Sequence, residues 1–113
     1  MNSITLEAIK RQFMIKGEYT IDVSRELISR FLIDFVLKYD LDIIDDPVVV
    51  RTAERTANSA FSAYGYRALV PLANSALFAY FQEKTASFII QVYSGKAFDE
   101  ADAAKYVREY FCQ

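Results

Sequence analysis

The 113-residue chain contains no histidine, no tryptophan and a single cysteine, Cys112. The missing histidine removes the commonest general base near neutral pH and the commonest metal ligand. Ser-His and Cys-His nucleophile pairs go with it, as do zinc sites of the histidine-containing kinds. One cysteine can build neither a thiolate zinc site nor an internal disulfide, so no metal is expected and nothing points to secretion. Cys112, next to the C-terminal residue, reads as an inert thiol rather than a nucleophile. The opening MNSITLEAIKRQF lacks a basic head followed by a long apolar run, so no signal peptide is expected. No apolar run approaches the roughly 18 residues that a membrane span needs, and the expected location is cytoplasmic. An excess of either charge is lacking too: 13 basic and 15 acidic residues leave a net charge of −2. Such a balance offers no clustered cationic footprint for nucleic acid.

What is present is apolar and aromatic. Hydrophobic residues make up 53% of the chain, with nine Phe and eight Tyr. That is far from the composition of a disordered segment, and the length predicts one domain over residues 1–113.

Two segments carry helical periodicity. In SRELISRFLIDFVLKYD, residues Leu27, Ile28, Phe31, Leu32, Phe35, Val36 and Tyr39 recur at spacings of three and four, with charges largely on the other side. Asp22 or Ser24 can cap its first turn. In DEADAAKYVREYF, Asp99 is the expected cap, and Ala103, Val107, Tyr110 and Phe111 form the apolar stripe. The rest leans to strand: 13–21, then 43–52 broken by a proline turn, a long apolar stretch over 66–81, and 85–94 after a tight hairpin at Glu83-Lys84. Pro71 inside the long stretch predicts an edge position or a bulge. Residues 53–60 read as a loop or a short helix. The order predicts an α+β two-layer sandwich: an antiparallel sheet with two main helices packed on one face.

From Phe61 onward the chain reads FSAYGYRALVPLANSALFAYFQEKTASFIIQVYSGKAFDEADAAKYVREYF. It resembles the small bacterial pyruvoyl-dependent S-adenosylmethionine decarboxylases. Their pattern runs Phe-Ser-Pro-x-Gly-Val-Ser-Gly, three apolar residues, Leu-Ala-Glu-Ser-His, a strand ending in His-Thr-Trp-Pro-Glu, and then Phe-Thr-Cys-Gly. Phe61, Ser62, Gly65, Leu72, Ala73 and Ser75 fall on this pattern without a gap. After a one-residue deletion, Phe81 stands for the Trp and Glu83 for the Glu, and Tyr93-Ser94-Gly95 sits where Thr-Cys-Gly belongs. The resemblance covers about half of the chain well.

The resemblance implies a proenzyme that cleaves itself before a serine and converts that serine to a pyruvoyl group, an electron sink for decarboxylation. Ser75 occupies the precursor position, but Asn74 replaces the preceding Glu, Arg67 the processing serine, Ala79 the histidine, and Ser94 the proton-donating cysteine. A serine hydroxyl is a far poorer proton donor than a thiol, and no other histidine can stand in for the lost one. Together these losses predict no self-processing and no decarboxylase activity. No cofactor is then expected, the pyruvoyl group arising from Ser75 only if processing occurs.

The family's ligand positions survive better. Its adenine lies between aromatic rings and its ribose hydroxyls meet a Glu, and Phe61, Phe81 and Glu83 stand at those places. Read without the resemblance, both Phe residues are core side chains, Glu83 is a solvated hairpin residue and Ser75 is structural. Tyr64, Tyr66 and Tyr93 are further candidates to line a pocket. The resemblance implies a homodimer, or a heterodimer with a paralogue, acting as a partner, a regulatory subunit or a binder of S-adenosylmethionine or a related nucleoside. The alternative is an enzyme of altered chemistry on the same ligand or a related amine, including pyruvoyl decarboxylation through Ser75. A third reading is an unrelated interaction domain, with the resemblance accidental.

Overall fold

Helix α1, Arg25–Lys38, begins where the side chain of Ser24 accepts a hydrogen bond from the Leu27 amide at 3.1 Å. Helix α2, Glu100–Phe111, begins the same way, with Asp99 accepting from the Asp102 amide at 3.0 Å. Each cap satisfies an amide that has no partner inside the helix, and acidic residues in both first turns favour the positive end of the helix dipole. The computed structural model describes residues 12–52, 64–94 and 99–113. The stretch 53–60 and Phe61 lie outside the described residues.

Five strands form one antiparallel sheet: β1 (Gln12–Glu18), β2 (Val48–Thr52), β3 (Gly65–Leu72), β4 (Ser75–Gln82) and β5 (Ser87–Ser94). Their spatial order is β1-β5-β4-β3-β2, so β4 is central and β1 and β2 are the edges. Alternation along the strands divides the side chains cleanly. Ala68, Val70, Leu72, Leu77, Ala79, Phe81, Phe88, Ile90 and Val92 are buried with Ile28, Phe31, Phe35, Val107 and Phe111 of the helices. Both helices therefore cover one face, which makes the described residues a compact α+β arrangement. The opposite face has no covering element among the described residues.

The expected single strand over 66–81 is in fact two. The chain reverses at Ala73-Asn74, pairing Leu72 with Ser75 and running to Gly65 opposite Gln82. Periodicity could not reveal this, because Ala-Asn interrupts an apolar run without the glycine that usually marks a two-residue turn. Asn74 supplies the left-handed backbone that the turn needs, with φ 62°, and asparagine tolerates it better than most residues. Pro71 lies beyond the last β2–β3 pair, Val48–Leu69, so its missing amide breaks no ladder bond there. Its carbonyl accepts instead from the Ile44 amide at 2.9 Å. Segment 43–47 meets the sheet through a bridge from Ile43 to Leu72.

The two helices are tied along their exposed edge by tyrosines. Tyr39 donates to an Asp102 carboxylate oxygen at 2.8 Å, and Tyr110 donates to Asp34 at 3.1 Å. Burial first, and then these carboxylates, hold both hydroxyls protonated; Tyr39 is raised well above the ordinary tyrosine range and Tyr110 is pushed up to about 12. The folded state thus keeps protons that the unfolded chain releases near pH 10, so the stabilisation is present below that pH and is lost as pH rises further. Thermal melts from about pH 9 to about pH 11 should show a falling midpoint, and the double variant Tyr39→Phe/Tyr110→Phe should flatten that slope. An equally steep fall in the double variant would contradict the assignment.

Candidate functional site

The sheet has two chemically distinct ends, and the residues singled out in the sequence divide between them. At one end, Ser75 and Ser94 are direct partners in the β4–β5 ladder. Ser94 is buried and Ser75 partly so, and by alternation both lie on the helix-covered face with Leu77, Ala79 and Val92. The structure therefore brings the precursor and proton-donor positions together. Arg67, at the processing-serine position, is on the opposite face, paired with Tyr80 and Val50. Ala79 lies four residues from Ser75 along the strand, roughly 13 Å away. Of Arg67, Ala79 and Ser94, only Ser94 lies beside Ser75.

Phe81 and Glu83 belong to the other end, about 20 Å or more from Ser75 at 3.4 Å per residue. The Phe81 ring sits in the core with only 3% exposure. Its neighbours are Tyr19 at 6.1 Å, Phe88 at 6.1 Å and Phe111 at 5.2 Å between ring centroids. Glu83 is exposed in the β4–β5 turn and ion-paired with Arg51 of β2. The Arg51 guanidinium also stands 5.0 Å over the Tyr66 ring, a cation–π arrangement that fixes the cation from two sides. Tyr19 completes this corner by donating to the Gln82 carbonyl at 3.2 Å. Its pKa is raised, chiefly by burial, then by Tyr66, against the lowering effect of Arg51. The carboxylate expected to meet ribose hydroxyls thus already has a cationic partner, which leaves its remaining lone pairs for a hydroxylated ligand.

The same end holds a cleft of about 390 Å³ whose walls include Thr52, Tyr64, Arg67, Tyr80, Gln82 and Ser87. Four strands shape it. Gly65 lies between Thr52 and Gln82 in the ladder, and a Cβ there would stand 1.8 Å from the Phe81 carbonyl oxygen. Only glycine lets β3 press this closely on β4, and no side chain at that position fills the corner. Tyr64, which closes the corner, accepts a backbone hydrogen bond from the Glu83 amide at 3.0 Å. Of the tyrosines marked in the sequence, Tyr64 and Tyr66 line the cleft, whereas Tyr93 lies at the Ser75 end beside Phe78, 6.1 Å away.

Arg51 and Tyr80 were not distinguished by sequence reasoning. The one available signal was Arg67, a cation inside the otherwise apolar run YRALVPL. Phe61, the third expected ligand contact, lies outside the described residues.

Beyond the cleft, the open face is largely apolar. Val50 is 51% exposed, and Val48, Met14, Leu69 and Tyr80 are exposed as well. Phe78, Ile89 and Tyr93 are partly buried on the same face. Among the described strand residues its charges are Lys16, Glu18 and Arg67. Among the described residues no group of three or more His, Cys, Asp or Glu could hold a metal ion, and no helix is long and apolar enough to cross a membrane. No known protein family, curated protein or solved structure matches the chain.

Proposed function

We propose that this chain is a diverged S-adenosylmethionine decarboxylase-like protein that binds a small ligand and a second protein chain without carrying out decarboxylation. The observation that carries this reading is the group opposite Ser75. Self-cleavage and reprotonation need an acid–base group beside the serine, and the ladder partner is Ser94 in a chain without histidine. Asn74 is accounted for by turn geometry, and Arg67 faces away from Ser75. No pyruvoyl cofactor forms on this reading, and Ser75 acts as a hairpin residue. The adenosyl or related nucleoside ligand belongs at the opposite end, where the cleft, the Arg51–Glu83 pair and three tyrosines lie.

The intended partner is a second copy of the chain, or a close paralogue, seated on the open sheet face. Five strands about 4.8 Å apart and about seven residues long make a face of roughly 24 by 24 Å, the scale of one side of a standard interface. A large apolar sheet face left in water is uncommon in a monomer. Sheet-on-sheet packing is the ordinary way to bury one.

Intact mass spectrometry tests the chemistry: a single species at 12.9 kDa is expected. Two fragments with the break before Ser75, the second beginning in a pyruvoyl group, would favour the enzyme of altered chemistry instead. Sedimentation tests the partner. The protein should be dimeric at micromolar concentration, and Leu69→Glu, on an exposed position, should give a folded monomer. A wild-type monomer would overturn the self-association.

A further inference from the structure

The cleft at the Gly65 end contains one feature that neither its fold nor its apolar strands require: Arg67. Its side chain is exposed on the open face at the cleft wall. Among the described residues it makes no ion pair, since the guanidinium that neutralises Glu83 is Arg51. The Glu83 carboxylate at this end of the sheet is therefore already compensated. Glu18, the carboxylate on the open face among the described residues, lies on β1, three strands across from β3 and so about 14 Å away. A fixed positive charge, two phenolic rings from Tyr64 and Tyr80, the Gln82 amide and the hydroxyls of Thr52 and Ser87 converge on about 390 Å³.

We infer that this cleft binds an anionic planar ligand: a ring lying against Tyr64 or Tyr80, with a phosphate or carboxylate held by Arg67. The inference rests on the reading of this end of the sheet as the ligand site, and it reverses the charge expected of the ligand. S-adenosylmethionine sets a sulfonium and an ammonium against one carboxylate, a net positive charge beside a guanidinium, whereas a phosphate, or a carboxylate without flanking cations, gains a charge-assisted and geometrically matched pair of hydrogen bonds. The volume suits a mononucleotide-sized molecule. The hydroxyls and the amide supply donors and acceptors for polar groups around the ring.

The test is a calorimetric titration of the full chain with adenosine 5′-monophosphate, adenosine, S-adenosylmethionine and inorganic phosphate. The monophosphate should bind about tenfold or more tightly than adenosine, and S-adenosylmethionine should bind more weakly than either. Arg67→Gln should abolish the preference, Arg67→Lys should restore part of it, and added salt should reduce it. Arg67 lies toward the Gly65 end of the open face, so both variants should keep the wild-type circular dichroism and the wild-type sedimentation, which separates loss of ligand binding from loss of self-association. Equal affinity for adenosine and its monophosphate, or a preference that survives Arg67→Gln, overturns the inference while leaving a nucleoside site in place. Binding of inorganic phosphate as tight as that of the monophosphate overturns the planar part of the claim. Absence of heat from all four removes the ligand site as well.

Discussion

The ring of Phe111, the last residue of α2, is the contact on which the rest of the arrangement depends. It is fully buried, and its centroid lies 4.8 Å from Phe31 of α1, 5.2 Å from Phe81 of β4 and 5.4 Å from Phe88 of β5. One side chain thus joins both helices to the two central strands. Truncating a buried phenylalanine typically costs about 3–5 kcal/mol, a large part of the ~5–15 kcal/mol that holds a small domain together. The backbone reinforces the same point: Thr20 donates to the Phe111 carbonyl at 3.0 Å, so the chain leaving β1 is stitched to the end of α2. Gly17 fits this scheme, because a Cβ there would press on the Phe88 ring at 2.8 Å.

That cluster decides where function can be. With Phe81 committed to the core and both helices held on one face, the helix side of the sheet is occupied by packed side chains among the described residues. Ser75 and Ser94 lie on that side, in register, with hydroxyls as their only shared chemistry. The open face and its Gly65 corner carry the exposed rings, the guanidinium of Arg67 and the apolar surface.

The helices were legible in the sequence because their information is local. The three-and-four spacing of Ile28, Phe31, Leu32, Phe35 and Val36 and the caps Ser24 and Asp99 depend on neighbours within one turn. The hairpin inside 66–81 was not legible, since both of its strands are apolar and its turn lacks glycine; a buried run looks the same whether it continues or reverses. The sheet order was beyond reach as well, because pairing β1 with β5 is a contact between residues about 70 to 80 positions apart in the chain. For the site, the missed turn mattered most. Register after Ala73-Asn74 determines that Arg67 and Tyr80 share the open face while Ser75 and Phe81 turn to the core. The Arg51–Glu83 pair was invisible for the same reason: it joins strands far apart in sequence.

The central claim is that binding is carried by the Gly65 end of the open face and that the serine end is inert. Mapping amide chemical shifts during titration with adenosine 5′-monophosphate addresses it residue by residue. The account predicts shifts concentrated at Thr52, Gly65, Arg67, Tyr80 and Gln82, with Ser75 and Ser94 unmoved. Shifts centred on Ser75 and Ser94, with Gly65 and Arg67 unmoved, would contradict it.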